Sequence, residues 1–333
     1  MAVFHGGNLA GAAQAFGVPS QGWLDLSTGI NPAPYPIPDI EKGLWTRLPD
    51  QEVLDDLKVA AAQYYGVDDP ANVIPVSGTQ TLLQIFPHLF EKPKAVRIVG
   101  PTYKEHEFCW RLAGHDVREV EDVFDAMSDG EIVIVVNPNN PTGDVHAPDT
   151  LVKMADELHQ KGGLLIVDAA FSDCTPTLDL SGHVGQPGLV VLRSFGKFFG
   201  LAGIRLGFVL ASGGLAERLK EGIGPWAVNG PAMEIARHAF RDIHWIKHTR
   251  ETLARCAFRL DDILSKGGLQ VVGGTSLFRY CFHENATGVY EVLAKNGVLV
   301  RPFPERPQYL RVGLPGEEKE WQRLNDLMEI INL

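Results

Sequence analysis

Short runs of near-continuous apolar residues recur through the middle of the chain, separated by stretches with helical spacing. Val96–Val99, Ile132–Val136, Leu164–Val167 and Leu189–Leu192 have the length and composition of buried strands, and Val73–Val76 and Phe208–Leu210 are further apolar runs. Between them, Val53, Leu54, Leu57, Ala60, Ala61 and Tyr64 predict a helix over residues 49–65. Leu82, Leu83, Ile85 and Phe86 predict another, and Thr150 to Gln160 a third, stopped by Lys161-Gly162-Gly163. Gly213 to Gly224 reads as a helix ending at a Gly-Pro break, and about 232–266 as one long connecting helix. Such alternation predicts a mostly parallel α/β sheet. Beyond Leu269 the pattern changes. Short strands (270–272, 277–282, 298–300, 309–312) and helices near 286–295 and 317–331 suggest a smaller α+β domain. Residues 1–45 read as irregular, because the proline-rich run Asn31–Pro38 bars helix and central strand alike. Alternation over Trp23–Ser27 predicts a strand docked on another element. The expected organisation is an arm over 1–45 that joins the small domain and the active site. A large domain would span 46–230, and a connector helix with the small domain 231–333.

The bulk numbers narrow the function. A formal net charge of -11 over 333 residues, with no compensating basic block, argues against nucleic-acid binding. Cys109, Cys174, Cys256 and Cys281 are scattered without a C-x-x-C pair, as in a reducing compartment. The N-terminus lacks a basic leader, and no stretch approaches the ~20 apolar residues that cross a membrane. The expected location is the cytoplasm. No His, Cys and carboxylate cluster has metal-ligand spacing.

The chemistry concentrates in residues 188–208. The run Leu189–Leu192 delivers Ser194 and then Lys197, the only lysine in a glycine- and aromatic-rich loop, and Arg205 follows between Gly203 and Gly207. A lysine among apolar neighbours is costly to keep charged, which favours a nucleophilic amine. A serine hydroxyl and a guanidinium on either side suit a dianionic phosphate. Together they describe a site for a phosphorylated aldehyde held as a Schiff base. Ser77-Gly78-Thr79 opens a helix and can present backbone N–H groups to a phosphate. Asp168 closes a buried strand, where a protonated ring nitrogen would be a suitable partner. Asn140 can donate to a phenolate oxygen, and Tyr103 can stack on a flat ring. A nucleotide-binding loop is disfavoured, since Gly196-Lys197 lacks the upstream glycine and following Ser/Thr of a P-loop.

With Asn140-Pro141-Thr142-Gly143, Asp168, Ser194-x-x-Lys197 and Arg205 in this order, the sequence resembles the fold-type I aminotransferase superfamily, dependent on pyridoxal phosphate. The resemblance covers nearly the whole chain. It implies a large, mostly parallel α/β/α sheet domain, a smaller α+β domain and a homodimer. It also implies that Lys197 binds the cofactor aldehyde, Asp168 pairs with its ring nitrogen and Asn140 bonds its phenolic oxygen. Tyr103 would stack on the ring, while Ser77, Gly78, Thr79, Ser194 and Arg205 hold the phosphate. His5-Gly6-Gly7-Asn8 and Leu26-Ser27-Thr28-Gly29-Ile30-Asn31-Pro32 are similar to the start of threonine-phosphate decarboxylases of cobalamin biosynthesis. Those enzymes convert L-threonine O-3-phosphate to (R)-1-amino-2-propanol phosphate. Related histidinol-phosphate aminotransferases are the alternative. On this resemblance His5, Asn31, Asn140, Arg301 and Arg311 bind a small phosphorylated amino-acid substrate. Two positions depart from the wider pattern. Phe171 stands where many relatives have a tyrosine reaching the phenolic oxygen, and Leu48 where they have one reaching the neighbouring subunit's cofactor.

Overall fold

A computed structural model describes residues 5–129 and 131–331. The chain forms two compact units, one of residues 34–140 and 145–246. The other takes in the chain up to Ala33, the short stretch Pro141–Asp144, and the chain from Lys247 onward.

The larger unit is built on a seven-stranded sheet. Its spatial order is Val73–Val76, Gly207–Leu210, Leu189–Ser194, Leu164–Asp168, Ile132–Val136, Ala95–Val99 and Asp116–Val120. Gly207–Leu210 runs antiparallel to both neighbours, and every other pairing is parallel. Ile132–Val136 and Leu164–Asp168 are buried along their whole length, which is why they read as unbroken apolar runs. Asp116–Val120 was not anticipated from the sequence. It lies at the sheet edge with Asp116, Arg118 and Glu119 exposed, so its pattern lacks an apolar run. Helix Gln51–Tyr65 starts where Asp50 accepts the Glu52 N–H and ends at Gly66 in the left-handed conformation. Helix Pro148–Gln160 begins with proline in its first turn, where no N–H is needed.

One prediction fails here. Residues 232–266 are not one helix but two, Gly230–Arg241 and Ile243–Lys266. Asp242 leaves helical geometry between them, and its carboxylate accepts the Trp245 N–H at 3.0 Å, starting a new helix.

The smaller unit carries a four-stranded antiparallel sheet in the order Arg301–Pro302, Tyr309–Gly313, Phe278–Phe282 and Gln270–Thr275. Helices Ala286–Lys295 and Glu318–Ile331 lie where the periodicity predicts them. The docked strand is Leu24–Asp25, paired in parallel with Val298–Leu299. Within the stretch read as irregular, Leu9–Phe16 and Lys42–Thr46 are helical. Asn8 caps the first by accepting the Gly11 N–H at 2.9 Å. Among the described residues, no helix is long and apolar enough to cross a membrane.

Candidate active site

In the larger unit the parallel strands release their chains at the same sheet end, the usual location of ligands in open α/β sheets. Asp168 is the last residue of its strand and only 5% exposed. One carboxylate oxygen accepts the Ala170 N–H at 3.1 Å, and the other lies 2.9 Å from Nε2 of His106. His106 sits on helix Lys104–Leu112, is 1% exposed, and donates its Nε2–H because the carboxylate can only accept. This partner was not singled out from the sequence. The only available signal was a histidine one helical turn after Tyr103. The Tyr103 ring meets the His106 ring edge-on at 6.1 Å. Its hydroxyl donates to Gln80 Oε1 at 3.1 Å, and Gln80 Nε2 donates to Glu105 Oε2 at 2.6 Å.

Lys197 lies in the short helix Phe195–Phe198 that follows strand Leu189–Ser194. Its half-buried side chain places Nζ 5.7 Å from the centre of the Phe171 ring. The backbone beneath it is immobilised by aromatic packing. Phe195 stacks on Phe199 at 4.4 Å, Phe199 stacks on Trp245 at 5.6 Å, and the Tyr35 N–H donates to the Phe199 carbonyl.

Gly78 lies against Arg205, and Thr79 against Gly207, the cross-strand partner of Ser194. Gly78 has φ +76°, and a Cβ there would lie 2.8 Å from Nη2 of Arg205, so only glycine lets the guanidinium settle against this turn. Ser194 pairs across the sheet with Gly207, and a Cβ on Gly207 would lie 2.8 Å from the Thr79 nitrogen. Arg205 itself adopts left-handed geometry, φ 55°. The Ser77 hydroxyl donates to the Ala227 carbonyl. Asn140 is half-buried in the loop after Ile132–Val136. Its neighbour Asn139 accepts from the Thr102 hydroxyl at 2.6 Å and donates to the Pro101 carbonyl at 2.9 Å, joining this loop to the turn before Tyr103.

In the smaller unit, Arg301 and Arg311 face each other across adjacent antiparallel strands, 9% and 4% exposed. Like charges opposed in this way repel, so an anion within their reach is favoured. Arg311 lies over Phe278 and donates to the Ser27 carbonyl at 2.8 Å. Asn31 is buried and accepts the Ala33 N–H at 2.9 Å, shaping the turn into the proline-rich arm. His5 is exposed at the start of the described chain. Among the described residues no group of three or more His, Cys, Asp or Glu could hold a metal.

The groups in the larger unit fit pyridoxal phosphate. A buried carboxylate needs a cation or good donors, and a protonated ring nitrogen provides both. The open turn at Gly78, a helix start and the Arg205 guanidinium suit a dianionic phosphate.

Residues 24–326 match the family model described as aminotransferase class I and II. Over 326 residues the chain is 43% identical to a threonine-phosphate decarboxylase of Pseudomonas aeruginosa, covering 96% of each chain. Over 335 residues it is 41% identical to a threonine-phosphate decarboxylase of a Sinorhizobium species, covering 99% of each. A crystal structure of histidinol-phosphate aminotransferase from Sinorhizobium meliloti in complex with pyridoxal-5'-phosphate superposes with a TM-score of 0.75. That match has 21% identity and covers 87% of this chain and 84% of the other. Matched over nearly its whole length, and folded as a mostly parallel fold-type I α/β sheet with a smaller α+β unit, the chain belongs to the aminotransferase class I and II family.

Proposed function

We propose that this enzyme uses pyridoxal phosphate to decarboxylate L-threonine O-3-phosphate, releasing CO₂ and (R)-1-amino-2-propanol O-2-phosphate for cobalamin biosynthesis. The observation that carries the reading is the end-to-end similarity, at 43% identity, to a protein named threonine-phosphate decarboxylase. When bound, pyridoxal phosphate supplies an aldehyde for the substrate amine and a ring that accepts the electron pair of a broken Cα bond. Lys197 Nζ would hold the aldehyde carbon and, once free, would carry a proton to Cα of the substrate. Asp168, held by His106 and the Ala170 N–H, keeps a proton at the ring nitrogen. Tyr103 would pack on the ring, and Asn140 would donate to the phenolic oxygen. Ser194, Arg205 and the Ser77-Gly78-Thr79 turn bind the phosphate. Arg301, Arg311, His5 and Asn31 bind the anionic groups of the substrate.

Decarboxylation breaks the Cα bond to the carboxylate, and transamination the Cα bond to hydrogen. The same Lys197 and Asp168 serve either outcome, so the anion-binding residues select between them. We further infer that the enzyme works as a homodimer in the cytoplasm.

The test incubates protein loaded with pyridoxal phosphate with L-threonine O-3-phosphate and quantifies CO₂ and the amine. Repeated CO₂ release, abolished in Lys197→Ala, is the expected result. Absence of CO₂, with conversion of the cofactor to its amine form by histidinol phosphate, would move the assignment to an aminotransferase.

A further inference from the structure

We propose that Ser27 is a positioning residue that couples the N-terminal strap, His5-Gly6-Gly7, to the Arg311 guanidinium and thereby sets affinity for the anionic substrate. The inference rests on the substrate-binding role proposed for Arg311 and His5, and extends it to a residue that touches neither cofactor nor substrate.

Ser27 is 2% exposed and lies in a stretch fixed from two sides. The Leu26 N–H donates to the Leu299 carbonyl at 2.7 Å, and the Gly313 N–H donates to the Leu26 carbonyl at 2.7 Å. A side chain on Gly313 would run into the Thr28 carbonyl, so the stretch and strand Tyr309–Gly313 are in direct backbone contact. That strand carries Arg311.

Every polar atom of Ser27 has a defined task. Its hydroxyl hydrogen goes to Asp25 Oδ1 at 2.5 Å, because a carboxylate can only accept. The same oxygen accepts the Ser27 backbone N–H at 2.9 Å. With its hydrogen committed, the hydroxyl has only lone pairs to offer, and one accepts the Gly7 N–H at 2.7 Å. The Ser27 carbonyl accepts from Arg311 Nη2 at 2.8 Å. That carbonyl also lies against Gly6, where any Cβ would collide with it. Gly7, at φ +81°, turns the strap on that support. One buried serine thus grips the strap through its hydroxyl and Arg311 through its carbonyl. Asp25 fixes the hydroxyl's direction, so the strap and the guanidinium take a shared register.

The experiment uses the full chain loaded with pyridoxal phosphate. Ser27→Ala removes the acceptor for Gly7 without adding bulk. Gly7→Pro removes the donor from the exposed side and cannot adopt a positive φ, so it tests the same link should the buried change impair folding. Both variants should show faster hydrogen–deuterium exchange in the peptide that begins at His5. KM for L-threonine O-3-phosphate should rise about fivefold, the range expected for one lost hydrogen bond, while kcat and the absorption of the bound cofactor hold within about twofold. Asp25→Asn keeps an acceptor for the Ser27 hydroxyl and should stay near wild type in KM. A general structural role would instead lower kcat and cofactor loading together. The proposal is overturned by that result, by unchanged exchange of the strap in both variants, or by an unchanged KM in both for the substrate that is turned over. If the substrate assignment is wrong, the exchange difference persists and KM is read on histidinol phosphate. If the coupling is wrong, the exchange difference is missing whichever substrate is turned over.

Discussion

Replacing Arg193 with methionine isolates the energetics of the most buried ion cluster in the larger unit. Arg193 directly precedes Ser194 on the strand that leads to Lys197. Its guanidinium is 2.6 Å from Asp173 Oδ1 and 2.7 Å from Asp179 Oδ1, and lies over the Tyr65 ring at 4.4 Å. Tyr64 adds a hydrogen bond to Asp173 at 3.0 Å. Burial opposes charge on Arg193, but Asp179 and Asp173 more than offset it and raise its pKa. Burial raises the Asp173 carboxyl above its ordinary value, although Arg193 pulls it down. Without Arg193, Asp173 is a buried carboxylate facing Asp179, and the loss should be about 3–5 kcal/mol near pH 8. The sign of the pH dependence follows. Above the ordinary carboxylate value and below its raised native value, Asp173 binds a proton in the folded state that the unfolded chain does not. Stability then increases as pH falls, by at most about 1.4 kcal/mol per unit. Urea unfolding followed by tryptophan fluorescence should therefore show a large deficit for Arg193→Met near pH 8 that shrinks toward pH 5. Changing Asp173 to leucine in the same chain should recover much of it, since an apolar pair replaces the buried charges. A deficit under about 1 kcal/mol at every pH, or one that grows on acidification, would refute this account.

Three other outcomes follow from the geometry. His106→Leu leaves Asp168 with the Ala170 N–H as its remaining hydrogen bond of those described, and should weaken cofactor binding roughly tenfold by equilibrium dialysis, with the fold retained by circular dichroism. Gly143→Ala should lower the melting temperature, because a Cβ there would strike the Gly274 backbone and Gly143 has φ +80°; a wild-type value would count against the close approach. Burial pushes the Cys281 thiol up to about 12, with Asp261 adding to it, and the Cys109 thiol up to about 11, with Glu105 adding to it. Both should resist a thiol reagent near pH 8 in the native protein and react once it is unfolded, as counted by mass spectrometry.

The legible parts of the fold were those whose pattern is set by burial on both faces. Ile132–Val136 and Leu164–Asp168 announce themselves because nothing polar is tolerated along them. The edge strand Asp116–Val120 buries only Val117 fully and so offers no apolar run to mark it. The break at Asp242 was missed for a different reason. Apolar spacing continues on both sides of it, and only the capping geometry, realised in three dimensions, divides the helices.

The site divides along the same physical line. Asp168, Asn140, Ser194 and Lys197 follow the C-terminal ends of strands, so the strand pattern itself locates them. The residues that hold these groups have no such local mark. His106 meets Asp168 across 62 positions of sequence, Gln80 reaches Tyr103 across 23, and Ser27 reaches Arg311 across 284. Each comes from an element whose facing is decided by tertiary packing, and each is a residue type that mostly serves solvent or a cap when read alone. Candidate groups at strand ends can therefore be picked out in one sequence. The hydrogen bonds that hold such groups become visible only once the chain is folded, and His106→Leu removes one of them.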